Sequence, residues 1–309
     1  MVMVPARKKW KRAFSDAGKS FERLFSIGRF ARYDWAQACL LGSPPTTHGE
    51  RIVRYFKKKG AAKPADIQAD PVQPVFICFT QRSGSNRLAE LLASTGKLPL
   101  AKGNFSWRDV VNRSEKNNFG SFEQYCAYLI RLRQANGFFM CKTSAAQLSF
   151  LTKEKIIPEL FAAPRFIHLR RRDLLAQAIS FVIARQTEQW STSKQAKNSP
   201  TYEPGNIAAR ARSIAAANAW FEEYFAIFGF PVFEVVYEDL AADENGVVSA
   251  LTEWLGLGPS EINPEKTRLQ AQRTSLNEEW RSRFLGESRQ YFGASAAELG
   301  AEMAPVSRR

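Results

Sequence analysis

VFICFTQRSGSNRL, residues 75–88, runs from an apolar stretch into small and polar residues. Val75 through Phe79 read as a strand buried on both faces. Leu88, Leu91, Leu92 and Thr95 then keep one face at helical spacing. The stretch is therefore a strand, a loop and a helix. The strand ends at Phe79 or Thr80, and the helix starts near Ser85 or Asn86. Such a turn aims backbone N–H groups at one spot, and the helix N-terminus adds about half a positive charge there. Arg82 contributes a full cation with a planar fork suited to anions, and Gly84 permits close backbone approach. Ser83, Ser85 or Asn86 acting as a plain helix N-cap is the alternative. A cap accounts for one of these residues and leaves the arginine and glycine without a role. We therefore expect an anion cradle, but one without the Gly-Lys-Ser/Thr ending of the common nucleotide-binding loop.

Three more β-like runs follow: FFMCKT (138–143), RFIHLR (165–170) and VFEVVYE (232–238). Helical patterns lie between them. Leu175, Ala178, Ile179 and Val182 share a face after the third run, and Trp220, Tyr224 and Phe228 share one before the fourth. Near-continuous apolar strands separated by helices predict an α/β fold with a mostly parallel central sheet and helices on both faces. Arg170, Arg171 and Arg172 stand at the C-terminal end of their strand, where open α/β sheets bind ligands. Three adjacent cations repel unless an anion is near or solvent screens them. The alternative is a solvated basic turn in which Asp173 pairs one of them. Gln177 and Ser180 are polar positions on an otherwise apolar helix. EQWSTSKQAKNSPTYEPGN (188–206) reads as a long surface loop, of a length typical of functional lids or of disordered segments.

The 309 residues carry a formal charge of +14. Residues 1–59 hold fourteen Lys and Arg against four acids, a surplus of ten. The charge thus belongs to an extension. Trp10, Phe14, Phe21, Leu24 and Phe25 form an aromatic stripe beside its cations. A helical basic extension over residues 1–73, including a linker, could place residues 7–32 on an anionic membrane surface. Packing on the chain's own domain or on a second copy, as a homodimer, is the alternative. No nucleic-acid motif accompanies the charge, so nucleic acid is not an expected partner. The main domain spans 74–290, with a tail over 291–309. No run approaches the ~18 apolar residues of a membrane span, and the N-terminus lacks a signal-peptide pattern. Cys39, Cys78, Cys126 and Cys141 are scattered and read as reduced, which together predict a cytoplasmic protein, at most peripheral on a membrane. Two histidines and no acidic cluster predict no metal site.

Over residues 74–285 the chain resembles the bacterial carbohydrate sulfotransferases typified by trehalose 2-sulfotransferase. These use 3′-phosphoadenosine 5′-phosphosulfate (PAPS) and release PAP. TQRSGSN (80–86) is similar to the family's loop for the 5′-phosphosulfate. LRRRDLLAQAISFVIARQTEQW (169–190) is similar to its Arg-Arg-x-Asp…Gln-Ala-x-Ser…Gln-x-x-x-Trp stretch. GFFMCKT (137–143), VVYEDL (235–240) and LQAQRTSLNEEWRSRF (269–284) resemble three further segments. The resemblance implies a P-loop-like sulfotransferase fold. It implies that Arg82, Ser83, Gly84, Ser85 and Asn86 hold the donor, that Arg172 and Ser180 hold its 3′-phosphate, and that Arg82 and Lys142 are catalytic. One position departs. The family's glutamate, proposed as the base for the acceptor hydroxyl, falls in TGKLPLAKGNF (95–105) at Gly103 and Asn104. Neither takes a proton. Asp109 and Glu115 are the nearest downstream carboxylates. His168 is another candidate, but it reads better as a buried, hydrogen-bonded residue of the third strand.

Sulfuryl transfer resembles phosphoryl transfer, so catalysis is mostly positioning and charge stabilisation. The expected function is PAPS-dependent transfer to a hydroxyl of a carbohydrate or glycolipid, with no metal. The alternative is a catalytically silent PAPS- or PAP-binding or scaffold protein. An ATP phosphotransferase would want a loop lysine before Ser/Thr and a magnesium carboxylate, and neither pairing occurs.

Overall fold

A computed structural model describes residues 47–59, 71–190, 195–267 and 275–291. The aromatic stripe of the extension, Cys39 and the tail beyond 291 lie outside these residues. Everything described here falls within one unit, residues 43–309.

Strand β1 (Gln73–Phe79) lies at the middle of the sheet. It pairs in parallel with β3 (Phe138–Thr143) on one side and β4 (Arg165–Arg170) on the other. β5 (Val232–Val236) extends the sheet beside β4, and β2 (Lys102–Gly103) forms the opposite edge beside β3, giving the order β2-β3-β1-β4-β5. The four expected strands all form and all pair in parallel. The apolar runs that predicted them are buried on both faces, which is why they show little alternation. β2 is an addition. Its two residues are exposed and carry no apolar pattern, so it left no signal. β5 ends at Val236, two residues early, because Tyr237–Ala242 turns into helix.

The two faces hold different cores. Val75 and Ile77 face Leu88, Leu91 and Leu92 of helix α2 (Ser85–Ser94), together with Val248 and Leu251 of the helix over Glu244–Trp254. Phe76 points the other way. It stacks on Phe166 at 5.5 Å and meets Phe161 edge-on at 5.2 Å. Phe166 then meets Phe225 at 5.3 Å on the long helix over Pro204–Phe228. Burying each such ring is worth roughly 1.5–3 kcal/mol. A third cluster joins the helix over Leu174–Thr187 to the long helix and to Trp280 of the helix over Ser275–Tyr291. Helix α1 (Thr47–Lys57) buries Ile52, and its Arg51 lies 4.6 Å over Trp107 of the helix Trp107–Lys116.

The chain leaves β1 toward β3 and later crosses to β4, so the strand order reverses around the C-terminal end of β1. That is where open sheets form ligand crevices, and the TQRSGSN loop is there.

His168 sits in β4, 1% exposed, between Phe221 at 5.3 Å and Phe225 at 5.7 Å. Its burial agrees with the sequence reading, but neither ring nitrogen has a hydrogen-bond partner. The flanking phenyl rings supply no acceptor, which corrects the expectation of a hydrogen-bonded residue. Burial pushes its pKa down to about 4, against the pull of Glu234 and with the push of Arg170. The folded state therefore keeps the ring neutral, while the unfolded chain takes a proton below about pH 6.5. Stability is lost as pH falls from about 6.5 toward 4, by on the order of 3 kcal/mol. His168→Phe should change stability at pH 7 by less than about 1 kcal/mol and remove most of that acid loss. Urea unfolding at pH 7, 5.5 and 4 checks this; an acid loss equal to the wild type's would refute it.

Candidate anion-binding site

The turn between β1 and α2 needs two left-handed residues: Arg82 at φ 67° and Gly84 at φ 91°. Gly84 is the N-cap of α2, and no side chain caps the helix. The plain-cap alternative for Ser83, Ser85 and Asn86 is thereby corrected: a left-handed glycine takes the cap position and points no hydroxyl at the first turn. The N–H groups there are left for an external anion. Ser83 is fully buried, and its Oγ has no partner. Ser85 is buried beside it, and Asn86 is exposed. An orphaned hydroxyl next to an uncapped helix end fits a phosphate-like group.

Helix α7 supports this loop. Numbering the helices in chain order, α3 is Trp107–Lys116, α4 Phe122–Arg133, α5 Ala145–Lys153, α6 Ile156–Glu159 and α7 Leu174–Thr187; α8 is Pro204–Phe228, α9 Tyr237–Ala242, α10 Glu244–Trp254 and α11 Ser275–Tyr291. Gln177 of α7 donates to Thr80 Oγ1 at 2.8 Å and to the Gln81 carbonyl at 2.9 Å. Arg82 Nε donates to Ser180 Oγ at 2.9 Å, and its Nη1 to the Trp190 carbonyl at 3.1 Å. One guanidinium thus ties the loop to α7 and to the long polar segment. Burial, and after it the nearby Arg171, lowers the Arg82 pKa, while Tyr237 opposes the shift. Arginine's ordinary value lies so high that the group stays charged.

Ser180 meets Arg82, while the Arg172 guanidinium meets Asp239. Arg172 Nη2 lies 2.9 and 3.0 Å from the two oxygens of Asp239. The three adjacent arginines are each matched by a carboxylate from β5 or α9: Arg170 by Glu234 at 3.3 Å, Arg171 by Glu238 at 3.6 Å and Arg172 by Asp239. Asp173 pairs none of them, contrary to the solvated-turn alternative. It caps α7 at Ala176 N–H and accepts from Arg281 of α11 at 2.8 Å. These carboxylates escaped the sequence reading. The signal was available, because a Glu234…Glu238-Asp239 spacing on the next strand complements three arginines at a strand end.

Lys142 is the next-to-last residue of β3 and donates to Asn86 Oδ1, so the lysine meets the loop. Burial lowers its pKa to about 8, and Glu90 opposes that shift. Gly103 pairs with Lys142 across the sheet. Asn104 is buried; its amide donates to the Lys102 carbonyl at 3.2 Å, and its carbonyl accepts from Tyr125 at 2.5 Å. Asp109 is exposed and accepts from Ser106 Oγ at 2.5 Å in the first turn of α3. Glu115 is exposed near the far end of that helix, and His168 is buried among phenyl rings. No cluster of three or more metal-ligating side chains occurs among the described residues.

Gly84 is required twice. Its φ is left-handed, and an added Cβ would collide with the Tyr237 ring. Tyr237 is pinned in turn by the Arg171 guanidinium, 4.6 Å from the ring centroid. Gly84→Ala should cost on the order of 2–4 kcal/mol, from the left-handed backbone and from overpacking. Adding Tyr237→Ala should recover the overpacking share. Urea unfolding of the two single variants and the double variant checks this; strict additivity would refute the contact.

The chain is similar to several known proteins. The model of the Stf0 sulphotransferase family matches residues 75–287, from β1 to α11. A trehalose 2-sulfotransferase of Mycobacterium tuberculosis (strain ATCC 35801 / TMC 107 / Erdman) is 27% identical over 127 residues, covering 40% of this chain. The match spans 47% of that relative, about half its length. Among solved structures, the sulfotransferase domain from the Synechococcus PCC 7002 olefin synthase aligns over 76% of this chain and 99% of its own, at 15% identity and a TM-score of 0.46. The sulfotransferase domain from the curacin biosynthetic pathway aligns over 71% and 99%, at 14% identity and a TM-score of 0.37. With the family model covering well over half the chain, and with its first matched strand leading into the uncapped loop, the protein belongs to the Stf0 sulphotransferase family.

Proposed function

We propose that the chain is a PAPS-dependent sulfotransferase that moves a sulfuryl group to a hydroxyl of a carbohydrate or glycolipid. The observation that carries this is the uncapped N-terminus of α2 beside the orphaned Ser83 hydroxyl, with Arg82 joining it to Ser180. The relative's name, trehalose 2-sulfotransferase, supports a sugar acceptor.

The donor's phosphosulfate supplies the group that is transferred. The Ser83 N–H is given to the Thr80 carbonyl at 3.2 Å, so the backbone amides of Gly84 to Asn86 and the Ser83 hydroxyl would hold its 5′ end, and Arg172 and Ser180 its ribose phosphate. A sulfur–oxygen bond forms to the acceptor hydroxyl as the one to the bridging phosphate oxygen breaks. Negative charge grows on that bridging oxygen, and Arg82 and Lys142 are the cations placed to offset it. Gly103 and Asn104 offer no carboxylate for the acceptor proton. A positioned base contributes roughly 10²–10⁴-fold, so slow turnover with intact donor binding is expected.

Calorimetry with PAP and transfer of labelled sulfate from PAPS to sugar and lipid acceptors test the reading. Arg82→Ala should lower kcat/KM by about 10²–10³-fold. Protonated Lys142 is the useful form, so kcat/KM should fall as pH rises through about 8, and Lys142→Arg should move that fall upward. No PAP binding by the wild type would end the proposal. Tight PAP binding with no labelled product on any acceptor would instead favour the catalytically silent binder.

We further propose that the protein works in the cytoplasm and meets its acceptor at an anionic membrane surface. Among the described residues, no helix is long and apolar enough to cross a membrane. Residues 7–32 supply sequence support through their cations and aromatic stripe. Arg54, Lys57 and Lys58 after them, and Arg108 and Lys116 on α3, are exposed and lack an ion-pair partner among the described residues. Vesicles containing phosphatidylglycerol should sediment the full chain. Reversing Lys8, Lys9, Lys11 and Arg12 to Glu should release it, and equal sedimentation of that variant would exclude the arrangement.

A further inference from the structure

Each arginine at the end of β4 faces a carboxylate, but the three pairs differ in kind. Glu238 is built into the turn: it lies 3.6 Å from Arg171 Nε and accepts the backbone N–H groups of Arg172 at 2.9 Å and Asp173 at 3.3 Å. Glu234 lies alongside β4 and pairs with Arg170 across the sheet. Asp239 accepts at both oxygens from one nitrogen of Arg172, and its side chain has no other hydrogen-bond partner among the described residues. That pair is the most exposed of the three, with side chains 49% and 59% exposed against 41% and 54% for Arg170 and Glu234. The bond to Asp239, the largest cause, raises the Arg172 pKa.

An exposed pair of this kind contributes little stability. A phosphate brings more charge and three acceptor oxygens, and an arginine fork suits it at least as well as a carboxylate. A ligand phosphate that recruits Arg172 through Nη2 has to displace the Asp239 contact, and one that uses its other N–H groups still lies near that carboxylate. Both effects oppose binding.

We propose that Asp239 is a specificity-determining residue for the donor. It holds the Arg172 guanidinium away until a ligand with a phosphate on its ribose displaces it, and so sets the affinity for that phosphate. This rests on the PAPS reading of the site. A nucleotide that lacks the ribose phosphate never competes for Arg172, so Asp239 leaves its affinity unchanged.

The test is calorimetry at fixed low salt on the full chain, with PAP and with 5′-AMP as probes. Asp239→Asn and Asp239→Ser should each bind PAP roughly three- to tenfold more tightly than wild type, with 5′-AMP changed less than twofold. In an Arg172→Gln background, Asp239→Asn should alter PAP affinity less than twofold. Circular dichroism confirms folding, and the serine variant stands in where the asparagine one is unstable. Unchanged or weaker PAP binding in both variants overturns the proposal, as does an equal gain for PAP and 5′-AMP. A wild type that binds no PAP overturns the PAPS reading itself. A wild type that binds PAP, with variants that do not respond, overturns only the role of Asp239.

Discussion

The turn out of β1 exists because Gly84 has no side chain. With φ at 91° and the Tyr237 ring against it, that position has no room for a Cβ. Tyr237 opens α9, directly after β5, and its other neighbour is the Arg171 guanidinium. A single contact therefore registers the loop after β1 against the segments that follow β4 and β5. The three strand ends that line the crevice are locked to one another before any ligand arrives. Arg82 and Gln177 add hydrogen bonds to the same arrangement from the side of α7.

Charge is distributed by the same logic. Arg170, Arg171 and Arg172 are each met by a carboxylate of β5 or α9, which offsets the mutual repulsion that their sequence run implies. On α1 and α3 the exposed cations have no such partners among the described residues. Cations that are neutralised internally set geometry and selectivity, whereas those left unpaired set long-range attraction. The chain's basic surplus is thus two different things in two places.

Most of the sheet was legible because its strands are buried on both faces, and a run such as VFICF has few other uses. The loop was legible because glycine, arginine and small polar residues rarely coincide without a reason. Three features were hidden. β2 is a two-residue edge whose exposed Lys102 and Gly103 carry no pattern. The role of Tyr237 depends on a contact between residues 84 and 237 that no local spacing encodes. The partners of the arginine run lie more than sixty residues downstream, so the run alone left an external anion, solvent screening and a pairing with Asp173 all open. Spacing also placed Ser180 near the anion site but gave no sign that Arg82 would be its partner.

The β2 edge of the sheet is marked by what it lacks. Gly103 stands next to Lys142 at the sheet edge, the place where the resemblance puts a glutamate. Its backbone does not require glycine: no left-handed φ occurs there, and an added Cβ would meet nothing within 4 Å. Gly84 and Gly103 are therefore glycines for opposite reasons. One is imposed by packing, so its replacement would distort the loop. The other leaves open space beside a lysine whose pKa burial has already lowered to about 8. A carboxylate at Gly103 would pair with Lys142 and draw that pKa back up. Without it, the lysine is held by Asn86 and the Phe79 ring, 5.9 Å from its ammonium, and its charge becomes responsive to pH within the range in which the protein would work.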